Sequence, residues 1–171
     1  MDLDTEVPND FLYSVDGTHC RIKEPRNEPD KLWFSHKYNK PGVSYEIALH
    51  LYKDKIAWVN GPFKAGESDL SIFRKEFGLK SQLPPGKLVI ADKGYPSEEQ
   101  VSIPNTFDSD ALKLFKQRAR AQQESFNMRV KEFNILSSCF RSDPKLHGIV
   151  FDAVCVVVQF SIEGSRPLAE M

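Results

Sequence analysis

The stretch KLVIADKGYP, at positions 87–96, decides the fold class because it places an acid directly after a short apolar run. Such a run is typical of a strand that is buried on both faces of an α/β sheet. Asp92 follows it at once, and Gly94 and Pro96 then turn the chain. Acids at the carboxyl ends of these strands are favoured functional positions, so Asp92 is a candidate site residue. The alternative is a turn former or a helix cap.

Three strands are predicted before this one. Residues 11–23 form the first and contain Asp16 within FLYSVDGTHCRI. Residues 44–52 alternate between apolar and polar side chains, and residues 55–59 return as the hairpin partner after a two-residue turn. Gly61-Pro62 is predicted to end this part of the sheet. For Asp16, which precedes a glycine, the alternative is a turn or bulge residue.

Three helices are predicted around the sheet. Ser68 or Asp69 can cap the first. The second runs from about residue 108 to 136. The third follows Asp143-Pro144, a good N-cap and first helical position, although its β-branched residues favour a strand. The predicted order is β-β-β-α-β-α-α, a mixed α/β sheet with helices on its faces.

Length and composition indicate one globular domain. The 171 residues fit a single domain, and the net charge of −1 gives no general attraction to nucleic acid. The three cysteines form no CxxC pair, which disfavours a zinc site and suits a reducing compartment. The apolar run at 149–162 is interrupted by Asp152 and Gln159 and is too short to span a bilayer. We expect a soluble intracellular protein with no membrane partner, a disordered lead over residues 1–10 and one domain over residues 11–171.

Three acids can converge on one point. Asp16 and Asp92 come from strands, and Glu124 comes from the second long helix. Three carboxylates close together repel one another unless a cation lies among them, and oxygen ligands without a Cys or His cluster indicate Mg²⁺ or Mn²⁺. Paired metals of this kind cleave phosphodiester bonds. For Glu124 the alternative is a solvated helix face, with Glu132 and Glu98 as substitute ligands.

The helix that carries Glu124 is basic and suggests a phosphate track. Without a metal site beside it, the same pattern is typical of a solvated amphipathic helix. Next to a metal site it would bind phosphates. The predicted nucleic-acid contacts are Lys93, Lys116, Arg118, Arg120 and Lys131.

The ordered motifs resemble a known family. The pieces are SVDGTH at 14–19, GPFKAGESDLSIFR at 61–74, VIADKGYP at 89–96 and RARAQQESFNMRVKEFNIL at 118–136. Together they resemble the RNase H-like catalytic core of DDE transposases, and more narrowly the Harbinger-type DDE superfamily endonucleases. The resemblance implies that Asp16, Asp92 and Glu124 are the catalytic ligands of two metal ions and that DNA is the substrate. It also implies that Asp69 lies just outside the ligands or contacts DNA.

One departure from the resemblance affects the expected function. Such transposases usually have a helical DNA-binding region before the first catalytic strand, whereas only ~10 residues precede that strand here. The chain is therefore expected to be a fragment, a decayed copy or a split gene product that works with a separate DNA-binding protein. Its location would be the nucleus in a eukaryotic host. The main hypothesis is a metal-dependent DNA endonuclease or strand-transfer core. The alternatives are an inactive, domesticated domain that acts as a binding module, and a ribonuclease that acts on RNA–DNA hybrids.

Overall fold

The computed structural model describes residues 10–96, 98–164 and 166–168. The predicted lead over residues 1–10 lies outside the described residues, except for its last position. The strands are β1 (Phe11–Arg21), β2 (Phe34–Ser35), β3 (Lys40–His50), β4 (Ile56–Lys64), β5 (Leu88–Ile90) and β6 (Val101–Ser102). The helices are α1 (Asp69–Phe73), α2 (Leu79–Gln82), α3 (Asp110–Glu132), α4 (Asn134–Ser137) and α5 (Pro144–Gly164).

The sheet is mixed, as predicted. Its order is β2-β3-β1-β5-β6, with β4 paired to β3. β1 and β4 run antiparallel to β3, whereas β5 runs parallel to both β1 and β6. The predicted order omits the two-residue strands β2 and β6 and the one-turn helices α2 and α4, which are too short to leave a periodic pattern in the sequence.

The prediction that Gly61-Pro62 ends the sheet is wrong. β4 continues through both residues to Lys64, and its register against β3 shifts between Ser44 and Glu46. This shift marks a bulge, which accommodates the extra residue. β4 pairs with β3 alone, so the missing N–H of Pro62 interrupts no second ladder.

Helix α3 packs one apolar line on the sheet. Ala119, Phe126 and Val130 are fully buried in the core. Two other apolar side chains of α3, Leu114 and Met128, are exposed on a different side of the helix. This side of α3, which Glu124 borders, therefore faces solvent.

The sequence from Pro144 onward forms a helix despite its β-branched residues. Asp143 accepts a hydrogen bond from the backbone N–H of Lys145 at 3.0 Å, which caps the first turn. One face of α5 packs into the core with His147, Phe151, Val154, Cys155, Val158 and Ile162. With 21 residues and a hydropathy of 1.6, α5 could cross a membrane by length and composition alone. The apolar run at 149–162 is predicted to be too short to span a bilayer, but the whole helix is long enough. The core helix of a protein outside a membrane meets the same criteria of length and composition.

Candidate active site

Two acids lie side by side at the carboxyl edge of the parallel strands. β1 and β5 pair with Ser14 opposite Ile90. Asp16 and Asp92 each follow that pair by two residues, so they lie at the same level along the two neighbouring chains, Asp16 within β1 and Asp92 just past the end of β5. The charge of Asp92 acts on Asp16, and both residues line one cavity. The structure thus brings together Asp16, which the sequence predicts within a strand, and Asp92, which it predicts at the end of one.

The carboxyl group of Asp16 is partly buried and held in place. Its two oxygens accept hydrogen bonds from the backbone N–H of Gly17 and from Nδ2 of Asn127, each at 2.8 Å. Burial raises the pKa of Asp16 from 3.8 to about 6, and the negative charge of Asp92 is the second cause. The two hydrogen bonds and the positive charge of Lys37 act in the opposite direction. The hydrogen bonds and the charge of Lys37 therefore do not fully offset the cost of burying the ionised Asp16 carboxylate next to Asp92.

Two amide side chains fix α3 against β1. Gln123 Nε2 donates to the backbone oxygen of Ser14 at 2.9 Å and to its hydroxyl at 3.1 Å. Asn127, one turn later, donates to Asp16 and accepts from the hydroxyl of Thr18. Neither amide is among the site residues predicted from the sequence. Their spacing of four residues, which places them on one helix face, is the signal that identifies them.

Glu124 reaches the same cavity from the exposed side of α3. The cavity has a volume of about 320 Å³. It is lined by Val15, Asp16, Lys37, Ile90, Ala91, Asp92, Arg120, Gln123, Glu124 and Asn127. The Glu124 side chain is 72% exposed, and its carboxylate lies 3.7 Å from the guanidinium of Arg120. Exposed pairs at this distance are weak. Glu124 therefore faces the two aspartates without being held in place.

Asp69, the first residue of α1, is not among the residues that line this cavity, but its carboxyl group lies close to Gly17 and Gly94. A Cβ atom at Gly17 would lie 2.9 Å from Cγ of Asp69, and one at Gly94 would lie 3.2 Å from its Oδ2. The two glycines thus leave the space that this carboxyl group occupies. Burial raises the pKa of Asp69 to about 6, with the charges of Asp16 and Asp92 as further causes. Asp69 contributes a third negative charge next to the cavity.

The predicted phosphate contacts divide into an exposed and an internal group. Lys93, Arg118 and Arg120 are exposed. Lys116 is 3% exposed, and its ammonium group donates to the backbone oxygen of Ile103 and to the carboxylate of Asp108. The ammonium group of Lys131 donates to the backbone oxygens of His19 and Leu136 and to the thiol of Cys20. Lys116 is buried and Lys131 is half-buried, and the ammonium groups of both donate to acceptors within the protein.

The acids fit a hard divalent cation by their chemistry. The acids that line the cavity supply carboxylate oxygens, and none of the described His or Cys residues lines it. A bound cation would relieve the mutual repulsion of Asp16 and Asp92. Within the described ranges, no three His, Cys, Asp or Glu side chains are close enough together to hold one metal ion. The fit therefore rests on the Asp16–Asp92 pair, with Glu124 at the rim.

The fold and the cavity define an α/β domain with a carboxylate site at the carboxyl edge of its sheet. A family model described as DDE superfamily endonuclease matches residues 15–159, so the chain belongs to that family. Membership implies an RNase H-like fold, a nuclease or transposase type of function and a DNA substrate. Comparisons with curated proteins and with solved structures gave no match.

Proposed function

We propose that this domain is a divalent-metal-dependent DNA endonuclease core with Asp16, Asp92 and Glu124 as its metal ligands. The observation that carries the proposal is the parallel pairing of β1 and β5, which sets Asp16 and Asp92 beside each other in one cavity. Two Mg²⁺ or Mn²⁺ ions would activate the attacking oxygen and stabilise the leaving one. A water nucleophile gives a nick, and a DNA 3′-hydroxyl gives strand transfer, as in a Harbinger-type transposase.

Each acid has a distinct part in this proposal. Asp16, fixed by Asn127, would bridge the two ions, while Asp92 and Glu124 would each complete one site. The weak pairing of Glu124 with Arg120 makes its rotation toward a cation inexpensive. Asp69 contacts neither DNA nor metal in this scheme, but its charge behind Gly17 would strengthen the attraction for a cation.

The exposed cations would bind the DNA backbone. Arg120 lines the acid cavity and also a neighbouring cavity of about 380 Å³ along α3, which Lys113 lines as well. Lys93 follows Asp92 directly, and Arg118 lies on the same helix as Arg120. A phosphate chain could thus run along α3 to the acids, neutralised by these side chains. Lys116 and Lys131 would support this track from inside by anchoring α3.

The decisive test is Asp92→Asn in a plasmid-nicking assay with Mn²⁺. We expect the variant to lose metal-dependent nicking and to keep its far-UV circular dichroism spectrum, because a neutral amide does not hold the cation. The matched control is Asp110→Asn, the same substitution at an exposed position that does not line the cavity. Nicking by the Asp92 variant at the rate of the unmodified chain would remove Asp92 from the site.

A second candidate function is a binding module without catalysis. It is favoured by the finding that the described residues contain no three-residue metal group. A melting experiment with Mn²⁺ separates the two candidates, because a cation that binds the folded state raises its melting temperature by mass action. A flat melting temperature together with retained DNA binding would support the binding module. Substituting an RNA–DNA hybrid for plasmid DNA tests the ribonuclease alternative.

Two wider predictions remain part of the proposal. The small net charge and the limited basic surface support cooperation with a separate DNA-binding protein. A DNA substrate supports a nuclear location in a eukaryotic host. Localisation of a tagged chain, with capture of cross-linked partners, tests both predictions.

A further inference from the structure

The outward face of α5 carries a row of exposed apolar side chains. Five large apolar side chains on it are between 50% and 70% exposed: Leu146, Ile149, Val156, Val157 and Phe160. At ~100° per residue, all five lie within about 60° of Ala153, which is also exposed. The stripe from Leu146 to Phe160 is about 21 Å long. Continuous apolar stripes of this kind mark an interaction surface.

The spacing of the stripe fits a second helix. Leu146, Ile149, Ala153, Val156 and Phe160 follow one another at intervals of three, four, three and four residues. This is the repeat by which two helices pack along a shared seam. The opposite face of α5 is already buried against the sheet and α3, so the exposed stripe is available for another molecule.

The charges beside the stripe identify the second helix as α5 of another copy. Lys145 and Glu163 lie at opposite ends of α5 and on the same flank, about 80° from Ala153. In an antiparallel pair that crosses at Ala153, Lys145 lies within about 3 Å, along the axis, of Glu163 in the other copy. Symmetry produces this pair of opposite charges twice. A parallel pair would instead place Lys145 level with Lys145 of the second copy, and Glu163 level with Glu163.

The same arrangement matches the apolar residues by size. Along the axis, Leu146 lies level with Phe160 of the second copy, and Ile149 lies level with Val157. The smallest side chain, Ala153, falls at the crossing point, where the helices approach most closely. Asp152 lies near the centre of the charged flank, beside Asp152 of the second copy. The repulsion between these two carboxylates opposes the pairing.

We propose that the protein forms a symmetric dimer through antiparallel packing of α5 against α5 of a second copy. Sedimentation velocity of the full chain is expected to show a monomer–dimer equilibrium at micromolar concentration. Phe160→Glu should raise the dimer dissociation constant by roughly 100-fold, because it places a charge in the centre of an apolar contact. The control is Phe77→Glu, at a residue that is 73% exposed and not on α5. It should leave the equilibrium unchanged.

Charge reversal tests the register and the orientation. Lys145→Glu and Glu163→Lys should each raise the dissociation constant by roughly tenfold, since each change affects both symmetric pairs. The double variant should return to within about threefold of the original value. Asp152→Asn should lower the dissociation constant. These changes lie on the exposed flank, so they test the proposal even if Phe160→Glu fails to fold.

Several outcomes would overturn the proposal. A chain that stays monomeric at every concentration, or a double variant no tighter than the single ones, would exclude this dimer. Binding of the monomer to lipid vesicles, with loss of binding in Phe160→Glu, would identify the stripe as a membrane contact instead. Neither result depends on nuclease activity, so the dimer and the proposed function stand or fall separately.

Discussion

Replacing Asp16 by Asn is expected to stabilise the metal-free protein at neutral pH. The folded state raises the pKa of Asp16 from 3.8 to about 6. At about 1.36 kcal/mol per pKa unit, this rise corresponds to about 3 kcal/mol of destabilisation when the carboxyl group is ionised. An Asn side chain removes the charge. It offers one oxygen where the carboxylate offers two, so either Gly17 or Asn127 loses its acceptor, which costs about 1 kcal/mol. The expected net gain is about 2 kcal/mol.

The sign of the pH dependence follows from proton binding. Between pH 4 and 6 the folded protein keeps a proton on Asp16 that the unfolded chain has lost, so the free energy of unfolding falls as the pH rises through this window. Below pH 4 both states carry the proton, and the advantage of the variant disappears. Above pH 6 the advantage reaches its full size.

Urea unfolding of EDTA-treated protein at pH 4.5 and pH 7.5 measures this difference. The variant should be more stable at pH 7.5 and nearly equal at pH 4.5. Addition of Mn²⁺ should raise the stability of the unmodified chain and leave the variant unchanged. A variant that is less stable at pH 7.5, or a gain of the same size at both pH values, would refute the claim that an uncompensated charge at Asp16 strains the metal-free site.

Three further predictions concern stability. Gly17→Ala should destabilise the fold by about 2 kcal/mol because its Cβ meets the Asp69 carboxyl group, and adding Asp69→Ala should recover most of this loss in a thermal double-mutant cycle. Lys116→Met should cost about 2 kcal/mol in urea unfolding, because the half-buried carboxylate of Asp108 and the backbone oxygen of Ile103 lose the ammonium group that they share, whereas the same change at the exposed Lys113 should cost almost nothing. Glu46→Ala should cost about 3 kcal/mol in the same assay, since an indole N–H and a backbone N–H lose their buried acceptor.

The position of Asp92 was predictable because it depends on local pattern alone. An apolar run followed by an acid and a turn specifies a buried strand with a polar end, whatever the rest of the chain does. The side of α3 that faces solvent was not predictable in the same way. Apolar residues occur on more than one side of this helix, and only tertiary packing decides that Phe126 is buried and Met128 is exposed. The orientation of Glu124 depends on that choice.

The internal cations show a second limit of sequence reasoning. Lys116 and Arg120 lie one turn apart on a basic helix and look alike in sequence. Lys116 is buried because Asp108 and the backbone of Ile103 supply acceptors from the preceding loop. A loop without periodicity gives no sign of where it will fold, so its ion pair with the helix stays hidden. Counting charges along α3 therefore overestimates the surface available to phosphate.

The three acids of the proposed site differ in how firmly they are held. This difference bears on how acids that do not form a metal-binding group in this structure could do so around a cation. Asp16 is fixed by strand pairing and two hydrogen bonds, so it cannot relieve the repulsion from Asp92 by moving away. Asp92 and Glu124 are exposed, and the ion pair of Glu124 is weak. Closing the proposed site around a cation would then involve rotation of these two surface side chains toward Asp16. The described residues hold no three-acid group without a metal, so a bound cation would have to offset the repulsion among the acids as the two exposed side chains close on Asp16.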